Sequence, residues 1–277
     1  MRTLMLVAVA ALAGPPALRS QQPCPAGLPA GTLVVSNMND NTATLIDVAR
    51  CRVLATLPTG EGPHEVAASH DGRWAVVSNY GVRGRAGNSL TVLDLTHISV
   101  ARTIDLGTYR RPHGMAFLPG DTLLAVTAEV SQAILLVDLR SDRVIGTLPT
   151  RGRASHMVAV PASGTPIFNT NIADGTISRS TGIIGDSARV FPAARQDEGI
   201  AVSPDGARVW VGSNADSIVV VLNGATGQPL DTLRGFGLAY RMAVTPDGAR
   251  AIISDPVRSQ IRIVDARSFQ ALFTISV

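Results

Sequence analysis

A segment that recurs every 42 to 49 residues, four short strand-like runs in each copy, and no stretch holding a helical apolar period predict an all-β chain. Repeats of that length built from four strands predict a β-propeller. The 277 residues are 45% hydrophobic and 16% charged, enough to bury a sizeable core and too apolar for disorder. All 24 basic residues are arginine, which excludes Schiff-base chemistry and any lysine nucleophile. With a net charge of +3, scattered arginines and 4% aromatics, the chain lacks the basic stripe of a nucleic-acid binder, and no nucleic-acid partner is expected.

Residues 1–20, MRTLMLVAVAALAGPPALRS, read as a secretory signal peptide. Arg2 precedes an apolar run from Leu4 to Ala13, and small residues with a Pro pair follow. Cleavage is expected after Ala13 or Ser20. The run is about half the ~20 residues of a membrane-spanning helix. A periplasmic or secreted mature protein with no transmembrane anchor is therefore expected. Gln21, Gln22 and Pro23 before Cys24 do not suit lipoprotein processing. Residues 21–30 read as an N-terminal tail and 31–277 as the propeller. Cys24 and Cys51 are the two cysteines, and in an oxidising compartment they are expected to pair.

The recurring segment is PHEVAASHDG (63–72), RPHGMAFLPGD (111–121), SHMVAVPASG (155–164), DEGIAVSPDG (197–206) and AYRMAVTPDG (239–248). Its anchor positions are His64, His113, His156, Glu198 and Tyr240. After each anchor come a strand such as RWAVVSNY or ARVWVGSN, one ending in Asp or Asn such as LTVLDL or AILLVDL, and one such as RVIGTL. Runs of four to seven residues rich in Val, Ile, Leu and Thr, bounded by Asp-Gly, Asn and Pro, are strands. The Asp71-Gly72, Asp205-Gly206 and Asp247-Gly248 pairs read as type I′ hairpin turns.

The wording VVSNMNDNTATLIDVARCRVLATLPTGEGPHEVAASHDG (34–72) resembles the YVTN-repeat β-propeller family. The family's Tyr-Val-Thr-Asn strand appears here as Val-Val-Ser-Asn at 34–37 and 76–79. Its Pro-His-Gly-Ile-Ala-Val-Ser-Pro-Asp-Gly segment is matched best at 112–120 and 199–206. The resemblance spans roughly residues 31–277. It implies that the anchor segment is the innermost strand of each blade. Five such strands, with three more strands at 31–59 that lack an anchor, predict six blades, the first three-stranded or atypically closed. Family members typically have seven. The resemblance implies binding proteins, lactonase-like enzymes and haem- or copper-associated propellers as functional relatives, and fold alone does not choose among them.

Strand alternation assigns loops to faces. The mouth face, where inner strands begin, carries the loops from the fourth strand to the next first strand and from the second to the third. The rear face carries the Asp-Gly turns and both cysteines, so a disulfide closing a 26-residue loop is sensible there and would contribute about 3 kcal/mol. On the mouth face His64, His113, His156 and Glu198 occupy equivalent places around the axis. They either hold a divalent metal (Zn, Cu or Ca) or begin the strand, with each His bonding backbone. Arg110, Arg153 and Arg195 stand three residues before anchors, with Arg111 and Arg151 beside them, and Arg83 and Arg85 lie in an expanded loop. Together with Tyr240 they either line a cleft for an anion or are solvated loop arginines. Asn37, Asn79, Asn171, Asn214 and Asp255 end second strands as turn formers, and His70 and His97 fall off the pattern as surface residues. There is no nucleophile elbow or phosphate loop. The expectation is a monomeric scaffold for an unknown protein or a small anionic ligand. The alternatives are a metal-dependent lactonase-like hydrolase or lyase, and an electron-transfer propeller.

Overall fold

The computed structural model describes residues 24–277. The leader expected over 1–20, and residues 21–23, lie outside the described residues. The chain forms six antiparallel meanders arranged as a β-propeller. The first blade has three strands (Thr32–Asn37, Thr42–Asp47, Arg52–Pro58), and the other five have four. Their inner strands are Pro63–Ala68, Pro112–Phe117, Ser155–Ala159, Asp197–Val202 and Met242–Val244, so each anchor segment is the innermost strand, or leads into it in blade six. Beyond the single short 3-10 turn Glu129–Ser131, the described residues form strands and loops.

The second strand of each blade explains the packing. Successive side chains of a strand point to opposite faces, and where a neighbouring blade covers each face the strand carries a run of consecutive apolar residues, as in Trp74–Val77 and Leu123–Val126. In blade two, Ala75 and Val77 pack against Ala43 and Leu45 of blade one, while Val76 packs against Leu124 and Val126 of blade three. The same arrangement joins blades three and four through Leu136 and Ile167, four and five through Phe168 and Val209, and five and six through Trp210 and Ile253.

Five apolar clusters thus hold five interfaces, and among the described residues no such cluster joins blade six to blade one. The two facing sheets stay open. Ala243, Ile252, Ile263 and Phe273 lie side by side on blade six, and Phe273 is 52% exposed. Leu33, Ile46 and Val53 share one face of blade one, with Leu33 52% and Val53 60% exposed. A hollow of about 250 Å³ on blade six, lined by Arg241, Met242, Ala243, Ile252, Ser254 and Ile261, opens on this seam. Among the described residues no strand pairs with the Thr32–Asn37 edge of blade one. In blades two, four and six a hydroxyl of the second strand (Ser78, Thr170, Ser254) accepts the N–H of an inner-strand residue (Glu65, Met157, Arg241) at 3.0 Å. The equivalent Ser36 hydroxyl is buried and has no partner.

Cys24 and Cys51 are joined in a disulfide with their Cα atoms 5.5 Å apart, fastening the tail to the rear turn of blade one. The Asp-Gly pairs are not type I′ turns. Gly72, Gly206 and Gly248 have φ of 66 to 72°, whereas their aspartates are not left-handed. Each glycine N–H closes a turn onto a carbonyl three residues back (Ser69, Ser203, Thr245). That Ser or Thr hydroxyl donates to the aspartate at 2.5 to 2.6 Å, so the aspartate is spent inside its own turn. The aspartates that end third strands behave alike: Asp94 accepts from the N–H of Thr96 and His97, and Asp265 from Arg267 and Ser268. No helix among the described residues is long and apolar enough to cross a membrane.

Candidate functional site

Four inner strands begin in the same way. In blades two to five the residue before the strand (Gly62, Arg111, Ala154, Gln196) is left-handed, with φ of 53 to 60°. Its carbonyl accepts the N–H of the residue just past the second strand's last pair with the inner strand (Tyr80, Glu129, Ile172, Asn214) at 3.0 to 3.1 Å. One pair of residues then matches across the ladder, as in Pro63 with Asn79, and the register slips before Val66, Met115, Val158 and Ile200. This bulge re-aims the residues it contains. It brings the anchors His64, His113, His156 and Glu198 together at the mouth of the channel. The inner strands touch there: a Cβ on Gly114 would meet Met157 Cα at 2.6 Å, and one on Gly199 would meet the Tyr240 carbonyl at 2.3 Å.

The anchors form a closed circuit. The His64 and His113 ring centroids are 4.4 Å apart, and those of His113 and His156 are 3.8 Å apart. His156 Nε2 lies 3.0 Å from Glu198 Oε1, which accepts from Arg241 at 2.7 Å. The other arm of Arg241 reaches Glu65 Oε1 at 2.5 Å. His64 Nδ1 stands 3.4 Å from the same oxygen, close enough for attraction but outside hydrogen-bond geometry. Arg241 thus crosses from blade six to blade two, where blade one has no inner strand to separate them. Asn214 donates to Glu198 Oε2 at 3.0 Å. The Tyr80 hydroxyl donates to Glu129 at 2.6 Å, and its ring lies 5.2 to 5.3 Å from those of His64 and His113.

Burial is deep and the electrostatics follow from it. His113 is 2% exposed, and burial, with His156, His64 and Arg241 nearby, pushes its imidazole well below the usual histidine range, so it is neutral. The Nδ1 atoms of His64, His113 and His156 are all buried without a hydrogen-bond partner. Burial works to raise Glu198, but His156 and Arg241 outweigh it and hold its carboxyl at about 2. Burial also opposes ionisation of Glu65, and His64 and Arg241 again keep the carboxylate below its ordinary range. Asp197 goes the other way. Burial, with Asp216 adding to it, lifts its carboxyl to about 7 against the N–H donated by Ala194. Burial and the Glu129 carboxylate raise Tyr80 to about 12.

The arginines expected at an anion cleft are separately engaged. Arg153 is clamped by Asp174 and Arg195 by Asp216, each pairing 21 residues apart and each through backbone N–H and guanidinium. Arg85 pairs with Glu61. Arg110 donates to the carbonyls of Gly107 and Tyr109, and Arg151 to Ser187. Arg111 stacks 4.6 Å over Tyr80, and Arg83 is exposed. They are not gathered over one cleft. Tyr240 lies beneath the Arg241 guanidinium at 4.1 Å and joins the circuit only through that contact. Asn79 and Asn171 staple loops, Asn79 accepting from Gly60 and donating to Ser89 and Thr91. In blade five their place belongs to Ser213, and Asn214 falls one residue later, in the site. His70 and His97 pair with Asp121 and Asp94 away from the mouth.

Sequence reasoning missed Glu65, Arg241, Asn214, Tyr80 and Glu129. Glu65 directly follows an anchor, and strict alternation would point it away from the channel; the bulge cancels that rule. Tyr80, Glu129 and Asn214 share one position, just past the second strand's last pair with the inner strand.

No family model and no curated protein matches the chain in sequence. Solved structures do match its shape. Hydrazine synthase of Kuenenia stuttgartiensis aligns with a TM-score of 0.71 at 20% identity, over 85% of this chain and 74% of that one. A functionally unknown protein from Desulfotomaculum acetoxidans aligns with a TM-score of 0.72 at 17% identity, over 88% and 82%. At these identities the likeness is one of fold.

Proposed function

We propose that this protein is a binding scaffold whose working surface is the channel mouth, where the inner strands begin. One observation carries the reading: three imidazoles keep buried, unpartnered Nδ1 atoms beside two ionised carboxylates and a guanidinium. Folding gains little from such a set, because an unsatisfied buried polar atom costs about 1–3 kcal/mol. A ligand that satisfies those atoms supplies the reason to retain them. The six-bladed fold supports the reading, and so does the resemblance of the repeats to the YVTN-repeat family, whose members include binding proteins.

The test is a thermal-unfolding panel of divalent cations, carboxylates, phosphate and short peptides. It compares the protein with a variant in which His64, His113 and His156 are all leucine. Ligands that raise the midpoint of the protein and not of the variant support the reading. If every shift survives in the variant, the binding surface is elsewhere and the reading fails.

Export belongs to the same proposal. The Cys24–Cys51 disulfide supports an oxidising compartment. Intact mass of the protein recovered outside the cytoplasm should correspond to a start after Ala13 or Ser20. A cytoplasmic protein retaining Met1 would overturn this part.

A further inference from the structure

His64, Glu65 and His113 each offer a ligand atom, and these atoms lie within 4.8 Å of one another. We propose that the three residues bind one divalent transition-metal ion, zinc or copper, and that Arg241 holds Glu65 in the ion's absence. The inference rests on the channel mouth being the working surface, and it names the ligand class.

The argument begins with donors. Two imidazoles and a carboxylate suit Zn²⁺ and Cu²⁺ and do not suit Ca²⁺, which takes oxygen ligands. His113 is 2% exposed with its Nδ1 unpartnered, and the buried Nδ1 of His64 has no hydrogen bond either. Both imidazoles therefore keep a ring nitrogen that no protein group satisfies. His156 Nε2 is held by Glu198, and His156 is not among the three residues whose ligand atoms lie within 4.8 Å of one another. Tetrahedral ligands at about 2.0–2.1 Å from zinc stand roughly 3.3 Å from each other, so the trio needs to contract by up to about 1.5 Å. Side-chain rotation suffices, because Glu65 is at the mouth and its side chain keeps 19% of its exposure.

The carboxylates add to this: Glu65 and Glu198 share the single guanidinium of Arg241. Arg241 and the ion compete for the Glu65 carboxylate, so Arg241 acts as a built-in rival. It swings onto Glu198 alone when the ion takes Glu65. Three protein ligands leave a further coordination position facing the mouth.

The experiment is calorimetric titration of Zn²⁺ into chelator-stripped protein carrying no polyhistidine tag, with Cu²⁺ as a second probe. One ion per chain is expected. Glu65→Gln and His113→Leu should each weaken binding by more than the roughly 10–100-fold that loss of a supporting group costs. His156→Gln should leave it within about threefold. Arg241→Gln should tighten it about tenfold, a change that a merely structural arginine would not produce; both figures are order-of-magnitude expectations for weakening a charge-assisted contact. Should Glu65→Gln fail to fold, Glu65→Asp keeps the charge, shortens the reach and should still weaken binding. No binding to the unaltered protein overturns the inference, as does binding indifferent to Glu65 or lost equally in His156→Gln. If zinc and copper fail while another ligand's thermal shift still depends on the three histidines, the metal inference falls and the scaffold reading stands.

Discussion

Replacing His113 by leucine takes out an imidazole that is 2% exposed, is stacked between His64 and His156, and has an Nδ1 atom without a partner. Two effects oppose each other. Removing the unsatisfied atom recovers about 1–3 kcal/mol, and a buried leucine of similar volume keeps the space filled. Losing two ring contacts gives back about 0.5–1.5 kcal/mol each if both are as favourable as ordinary aromatic pairs. At the low end of that range for these tilted imidazole contacts, the balance favours leucine by about 1 kcal/mol. For a chain of this size that raises the unfolding midpoint by roughly 2–4 °C. The assay is calorimetry at pH 7.5 with chelator present, so that no bound ion stabilises the parent. A midpoint lowered by the equivalent of more than about 1 kcal/mol would show that the ring holds the fold together, and the claim that it is kept for a ligand would be refuted.

Three further outcomes are expected. The Asp197 carboxyl, raised to about 7 from 3.8, gives the folded state a proton that the unfolded chain lacks between those values. Stability from this group is therefore full below about pH 4 and is lost as pH rises through about 7, by roughly 4 kcal/mol in all, and Asp197→Asn should flatten that slope in denaturant titrations at pH 5 and 8. Changing Cys24 and Cys51 together to serine should cost about 3 kcal/mol, read as a lower urea midpoint, while equal midpoints would mean that the bridge constrains nothing. Gly114→Ala sets a Cβ 2.6 Å from Met157 Cα and should destabilise by about 1–3 kcal/mol by chemical denaturation; a neutral result would contradict the close approach of the inner strands of blades three and four.

Much of the architecture was legible because the repeat is written in residue types with strong local meaning. The anchors from His64 to Tyr240 mark where inner strands start. The apolar runs around Val76, Leu124 and Trp210 mark strands covered on both faces. The anchorless strands at 31–59 foretold a three-stranded first blade. Less of the site could be read. Strand alternation is a rule about regular ladders, and Glu65 sits in a bulge where register slips, so its side chain joins the channel against the rule. Arg241 was hidden for a different reason: its partners, Glu198 and Glu65, lie 43 and 176 residues away. The pairing of the loop arginines was not legible because Arg153 and Arg195 have acceptors 21 residues on, in the next hairpin, which proximity in sequence does not reveal. The Asp-Gly turns were misread because the dipeptide is shared by two turn classes, and the Ser or Thr two residues before the aspartate selects between them.

The seam between blades six and one changes how the molecule comes apart. A belt with no break must be cut before it can open, whereas this one is a row with two ends, each end blade leaning on a single neighbour. Rows of this kind lose their members from the outside inward, as stacked repeats do. The disulfide reinforces one end by tying it to its own tail, and Arg241 ties blade six to blade two across the axis. Amide protons should therefore survive longest in the middle of the row, around Leu124–Val126 and Phe168, and exchange earliest along the last strand, Ala271–Ser276, where every side chain is exposed.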